Sequence, residues 1–303
     1  MFDRVVGQNK RAIGPEPERP VRKLELQDPL NLYLYHPLAW QLAKRLARTP
    51  ITPNMVSVSG ATCVLAAAFA YAQPYYPWSA LFGLLLHMTW HVVDGADGDL
   101  ARITGKTSPL GELIDGLCDY LSHVVLYLVL GWILAGQIGT AEGWTITVIA
   151  GLSHIAQSNH VEVQRRSYQW WVYGTAWLRT TQQPEQSGEI GSALGWIVRA
   201  YLALAGSLAP DAPRIDAAVL AAQDDPARLA VIRTAVMQEA GPLLRLLKVL
   251  GPNPRALVLG ASMLAGTPLH YMLYQTVALN LLLLLSVRLH NRAAQRIVAA
   301  IDG

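Results

Sequence analysis

The sequence predicts an all-α, polytopic membrane protein with six transmembrane helices. It adds an N-terminal amphipathic interfacial helix and a cytoplasmic or interfacial helical insertion between spans four and five. Three observations predict this. Of 303 residues, 52% are hydrophobic and only 15% charged, and the mean hydropathy is +0.26, too apolar for an ordinary soluble domain. Apolar runs approaching the length of a bilayer core recur along the chain. Basic residues gather at alternate ends of those runs. The net charge of +3 is too small for a broad nucleic-acid-binding face, so no nucleic acid is expected as a partner.

Residues 1–27 read as a polar, loosely ordered cytoplasmic arm. They carry Arg4, Lys10, Arg11, Arg19, Arg22 and Lys23 between Pro15, Pro17 and Pro20 and lack the apolar centre of a cleavable signal. Residues 28–48 form the interfacial helix, in which Leu32, Leu34, Leu38, Trp40, Leu42 and Leu46 alternate with Lys44, Arg45 and Arg48. Residues 49–167 hold spans one to four: Pro53 to Ala72, Trp78 to Val93 continuing as helix to about Thr104, Gly111 to Ala135, and Trp144 to about Gln164. Residues 252–303 hold spans five and six, Asn253 to Gly266 and Leu269 to Arg288, and a basic tail. The loops at Gln73 to Trp78 and Gly136 to Gly143 carry almost no charge and look external. Lys44, Arg45, Arg48, Arg102, Lys106, Arg165, Arg166, Arg288, Arg292 and Arg296 lie at the opposite ends, which places both termini in the cytoplasm.

The insertion, residues 168–251, contains one further apolar stretch, Ile190 to Leu208. Arg199 in its middle is costly in lipid, and a seventh span would turn the basic tail outward, so helices at the cytoplasmic interface are preferred. Pro226 is expected to open an amphipathic helix ending near Leu250. Cys63 and Cys118 fall inside apolar runs and read as small buried hydrophobes.

One window carries the chemistry. It runs D-x-x-D-G-x-x-A-R, eight residues, then G-x-x-x-D-x-x-x-D, filled by Asp94, Asp97, Gly98, Ala101, Arg102, Gly111, Asp115 and Asp119. Residues three or four apart share a helix face, so Asp94 and Asp97 project together from the end of one span. Asp115 and Asp119 do so from the start of the next. Four anions in a partly desolvated site require cations. Carboxylates without imidazole or thiolate partners suit Mg²⁺ or Mn²⁺, and a pair of ions completed by substrate phosphates points to phosphoryl transfer. Gly98 and Ala101 leave room for a close-packed base or diphosphate, and Arg102 can donate to a phosphate.

At these residues the chain resembles the CDP-alcohol phosphatidyltransferase family, an integral membrane family whose signature this pattern is. The run Thr49-Pro50-Ile51-Thr52-Pro53-Asn54 also looks like the family's lead-in to its first span. The resemblance implies a six-helix membrane fold and a site open to cytosol and lipid. It implies Asp94, Asp97 and Asp115 as metal ligands, with Asp119 as general base that also contacts metal. Gly98, Ala101, Arg102 and Gly111 would surround the CDP moiety. The implied partners are a CDP-alcohol donor such as CDP-diacylglycerol, a hydroxyl acceptor and membrane lipids, and a homodimer is compatible with it. The long 168–251 interval departs from a minimal member and leaves the acceptor open.

Two other readings compete. Water could replace the acceptor, making the chain a CDP-diacylglycerol hydrolase, or the aspartates could serve a cation transporter, which the lack of a matching site in a second half disfavours. Arg165, Arg166 and Arg255 are candidates for a phosphorylated acceptor, although topology explains them almost as well. His154, Asn159, His160 and Glu162 either line a cavity or hydrogen-bond neighbouring helices. His87 and His91 have a zinc-compatible spacing without an evident third ligand, which favours packing. Tyr168, Trp170, Trp171, Tyr173 and Trp177 are expected to anchor a helix at headgroup level.

Overall fold

A computed structural model describes Arg19, residues 22–175 and residues 203–302, and among the described residues all regular structure is helical. Most of the N-terminal arm, Trp177 and the 190–202 stretch with Arg199 lie outside them.

The helix boundaries follow local chemistry. A π-turn, Asn31–Tyr35, leads into α1 (His36–Leu46), and the Asp28 carboxylate accepts from Asn31 N at 3.0 Å. Thr52 caps α2 (Pro53–Tyr71), with proline at its first position. Next come α3 (Trp78–Thr104), α4 (Pro109–Ile138) and α5 (Thr140–Tyr173). After the undescribed interval stand α6 (Ala212–Ala221), α7 (Pro226–Glu239) and α8 (Leu244–Val249). Asp225 caps α7 by accepting from Ala227 N and Arg228 N. The chain ends with α9 (Pro252–Leu264), α10 (Leu269–Leu273), a π-turn at Tyr274–Ala278 and α11 (Leu279–Asp302).

Among the described residues, three helical stretches are long and apolar enough to cross a membrane: Pro53–Tyr71, Ile114–Ile138 and Leu269–Asp302. Large apolar side chains face outward, among them Phe69, Phe82, Leu85, Leu128, Trp132 and Leu281. That much exposed apolar surface belongs in lipid, and the chain is an integral membrane protein. The other three expected spans correspond to α3, α5 and α9, whose buried polar side chains include His87, Gln157, His160 and Arg255.

Helix contacts in such a setting depend on close approach, and small residues provide it. Ala39 and Ala43 of α1 pack with Ala96 and Leu100 of α3; a Cβ on Gly95 would lie 3.2 Å from the Ala39 Cβ. A Cβ on Gly143 would lie 2.6 Å from Ala135 N and Cα, so α5 leaves the α4 turn backbone against backbone. Polar groups join α5 to α11 and the π-turn before it. Gln157 Nε2 donates to Gln275 O and Asn280 Oδ1, Asn280 Nδ2 donates to Ser153 Oγ, and His160 Nε2 pairs with Ser286 Oγ at 2.9 Å. Of the two readings of the α5 polar face, helix-to-helix bonding describes His160.

Helices α6, α7 and α8 cover the far ends of α5 and α11. Their shared core contains Tyr168, Trp170, Trp171, Ile215, Val219, Ile232, Val236 and Ile297. The headgroup-anchor expectation for the aromatic run is thereby corrected: Tyr168, Trp170 and Trp171 are buried, and Trp171 Nε1 donates to Asp216 Oδ1 at 2.7 Å. Burial beneath a helical cap removes more aromatic surface from water than a headgroup layer would.

Candidate metal centre

The aspartates depend on a tight reversal between α3 and α4. Gly105 ends α3 at φ 65°, a left-handed conformation that glycine adopts without Cβ strain, and Lys106 N returns to Ala101 O at 2.9 Å. Three residues later Ser108 starts α4, its Oγ accepting from Gly111 N at 3.0 Å, with Pro109 in the first turn. The antiparallel pair therefore presents the last turns of α3 to the first turns of α4. A Cβ on Gly111 would lie 3.1 Å from Ser108 Oγ and 3.5 Å from Asn54 Oδ1, so the α2 lead-in reaches the same corner.

Asp94, Asp115 and Asp119 each direct a carboxylate oxygen into a common space, all three oxygens lying within 4.8 Å of one another. Asp97 sits beside them. Its Oδ2 accepts from Ser57 Oγ at 2.6 Å and its Oδ1 from Gly98 N, and its carboxyl meets that of Asp115, as the Asp94 carboxyl meets that of Asp119. All four predicted aspartates thus converge across the α3–α4 pair. The donor set is oxygen alone, and such crowding of half-buried carboxylates fits a hard divalent cation such as Mg²⁺ or Mn²⁺.

Three supporting side chains escaped the sequence reading: Trp90, His123 and Ser57. Trp90 Nε1 donates to Asp119 Oδ1 at 2.9 Å, and the indole is packed between His91 and His123, at ring-centroid distances of 4.4 and 4.6 Å. His123 Nδ1 in turn donates to Asp119 O at 2.8 Å. Trp90 stands four residues before Asp94 on the same helical face, a spacing that could have exposed it. Ser57 lies on α2, and no spacing relates it to Asp97.

The remaining predicted residues divide. Arg102 donates to Asp99 Oδ1 at 2.5 Å, and its guanidinium lies over Gly98, while Ala101 is half-buried one turn after Asp97. Arg165 and Arg166 both bind Glu162, at 2.6 Å. Arg255 is buried and donates to Ser158 Oγ and Gln157 Oε1. His87 and His91 stack at 6.2 Å between centroids, with His91 also on Tyr35. Packing describes them, and among the described residues the only cluster with metal-ligand spacing is that of the aspartates.

This centre lies inside a recognisable segment. Residues 50–179 match the family model of CDP-alcohol phosphatidyltransferase. That segment is similar to a CDP-alcohol phosphatidyltransferase domain. Among curated proteins it is similar to Cholinephosphotransferase 1 of Gallus gallus, 35% identical over 101 residues, which are 31% of this chain and 30% of that protein. It is also similar to Ethanolaminephosphotransferase 1 of Pongo abelii, 31% identical over 110 residues, 32% of this chain and 28% of that protein. Cholinephosphotransferase 1 of Homo sapiens is 32% identical over 123 residues, 39% of this chain and 29% of that protein. The matched segment thus spans less than a third of each relative's length.

Proposed function

We propose that this chain transfers a substituted phosphate group from a CDP-alcohol to a hydroxyl acceptor in a membrane, releasing CMP. The observation that carries the reading is the convergence of Asp94, Asp115 and Asp119 within 4.8 Å, inside the segment that matches the family. The full arrangement is read as six spans with both termini and the site on the cytoplasmic side, α6, α7 and α8 forming a cap there. The basic span ends support that orientation.

Asp94, Asp97 and Asp115, with a share from Asp119, would hold two divalent ions, Mg²⁺ or Mn²⁺. When bound, such ions neutralise phosphate oxygens and stabilise the departing phosphate of CMP. Ser57 holds Asp97 Oδ2 from α2 and the Gly98 amide holds its Oδ1, which together fix the direction of that carboxylate. Arg102, lying over Gly98, is placed to meet the diphosphate of the donor. Asp119, steered by Trp90, takes the proton of the acceptor hydroxyl as its oxygen forms a bond to the donor phosphorus. The bond from that phosphorus to the oxygen of CMP breaks, CMP leaves, and the proton passes from Asp119 to water.

The donor is proposed as a CDP-alcohol, with CDP-diacylglycerol and the CDP-linked small alcohols suggested by the relatives' names as the two arms to compare. Membranes holding the chain are supplied with each labelled donor, Mg²⁺ or Mn²⁺, and individual hydroxyl acceptors. Metal-dependent CMP release that requires the acceptor is expected. Equal release without acceptor would make the chain a hydrolase. Asp119→Asn should abolish turnover and leave CDP-alcohol binding largely intact, and retained turnover would refute the base assignment.

A further inference from the structure

Asp99 lies outside the aspartate signature, yet it is among the most buried charged residues described, at 1% exposure. Along a helix it stands about 140° from Asp94, with Arg102 at about 80° and Gly98 at about 40°. Arg102 thus projects between the carboxylate face and Asp99. A single oxygen, Asp99 Oδ1, accepts from Arg102 Nη2 at 2.5 Å and from Arg22 Nη2 at 2.8 Å. The Arg102 guanidinium folds across Gly98, where a Cβ would stand 3.6 Å from Nη2.

Arg22 belongs to the segment before the interfacial helix. Its Nη1 donates to His36 Nδ1 at 2.8 Å, and His36 Nε2 donates to Gln27 Oε1 at 2.7 Å. Both ends of the guanidinium are therefore held. Two guanidiniums around one carboxylate leave a net charge of +1 beside the aspartates, and planar forked donors of this kind match phosphate oxygens. A buried carboxylate with only one partner would draw Arg102 fully onto itself, because an unpaired buried charge is costly.

We propose that Asp99 is a positioning residue that aims Arg102 over Gly98 at the donor's diphosphate, and that Arg22 is the second anchor that keeps Arg102 available. The inference rests on the reading of the α3–α4 centre as a CDP-alcohol site. Neither residue needs to touch the reacting atoms.

The test uses the full chain in lipid nanodiscs, with donor concentration varied at saturating metal and acceptor. Asp99→Asn keeps size and an accepting oxygen but removes the charge that fixes both arginines. It should raise donor KM about five- to tenfold, with the larger part of the effect in KM rather than kcat. Arg22→Gln should raise KM similarly, and the double variant should rise by less than the product of the two, since both act through one carboxylate. An unchanged or lowered KM in Asp99→Asn would show a mere counter-ion and overturn the proposal. Should Asp99→Asn fail to fold, Arg22→Gln decides alone: an unchanged donor KM there overturns it equally. Wild-type protein that consumes no CDP-alcohol would defeat the functional reading itself, whereas normal wild-type turnover with indifferent variants defeats only the role of Asp99 and Arg22.

Discussion

Replacing Trp90 by Phe removes one hydrogen-bond donor from Asp119 and leaves an aromatic ring in the space between His91 and His123. The lost bond, 2.9 Å long, runs from a neutral N–H to a carboxylate in a half-buried position. Bonds of that kind contribute about 1.5–3 kcal/mol. If that energy holds the carboxylate in the direction needed for proton removal, its loss lowers kcat by roughly ten- to a hundredfold, at 1.36 kcal/mol per decade. The smaller ring also leaves a void, costing on the order of 1–3 kcal/mol of stability, so thermal unfolding is followed in parallel. The assay is acceptor-dependent CMP release under saturating donor and metal. A kcat within twofold of wild type, in a variant that is folded, would mean that Trp90 only packs against the site.

Three further outcomes follow from the geometry. Ser57→Ala removes the donor to Asp97 Oδ2 and should shift the metal activation curve several-fold toward higher concentration, by about 1 kcal/mol, with little change in maximal rate. Gly143→Ala drives a Cβ to 2.6 Å from the Ala135 backbone. It should destabilise the α4–α5 pair by about 1–3 kcal/mol or more, visible as a lowered melting temperature in detergent. His36 is held neutral, its pKa lowered to about 4 chiefly by burial and then by Arg22, against opposing pulls from Asp99 and Asp28. The folded state binds fewer protons there than the unfolded chain, so this contribution is full above about pH 6.5 and declines toward pH 4. Melting temperature should fall across that window, and His36→Gln should flatten the decline.

The legible part of the site is the part carried by one helix at a time. Asp94 with Asp97, and Asp115 with Asp119, share faces by spacing alone, and the glycine and serine that reverse the chain between them leave local signatures. Ser57 and Arg22 left none, because their partners lie 40 and 77 residues away and are set by how α2 and the N-terminal segment pack on α3. The same reason explains the aromatic run. Tyr168, Trp170 and Trp171 have the composition of a membrane-interface belt, but their covering residues Ile215, Val219, Ile232 and Val236 come well after them in the chain. The helix starts at Pro53, Trp78 and Pro226 were readable from proline position and capping chemistry. Helices α3, α5 and α9 are less apolar, since the polar side chains that bind helix to helix also lower the hydropathy that marks a span.

The seam between α5 and the end of the chain bears on how this protein is made. Gln157 finds its partner Gln275 only 118 residues later. At about 5–20 residues per second, ribosomal synthesis leaves that amide waiting for roughly 6–24 s. During that time the amide and imidazole groups of α5 lack the partners that they have in the finished fold. Final packing of α5 is thus tied to the arrival of α11, and a chain cut short before residue 275 would lack the partners of that seam.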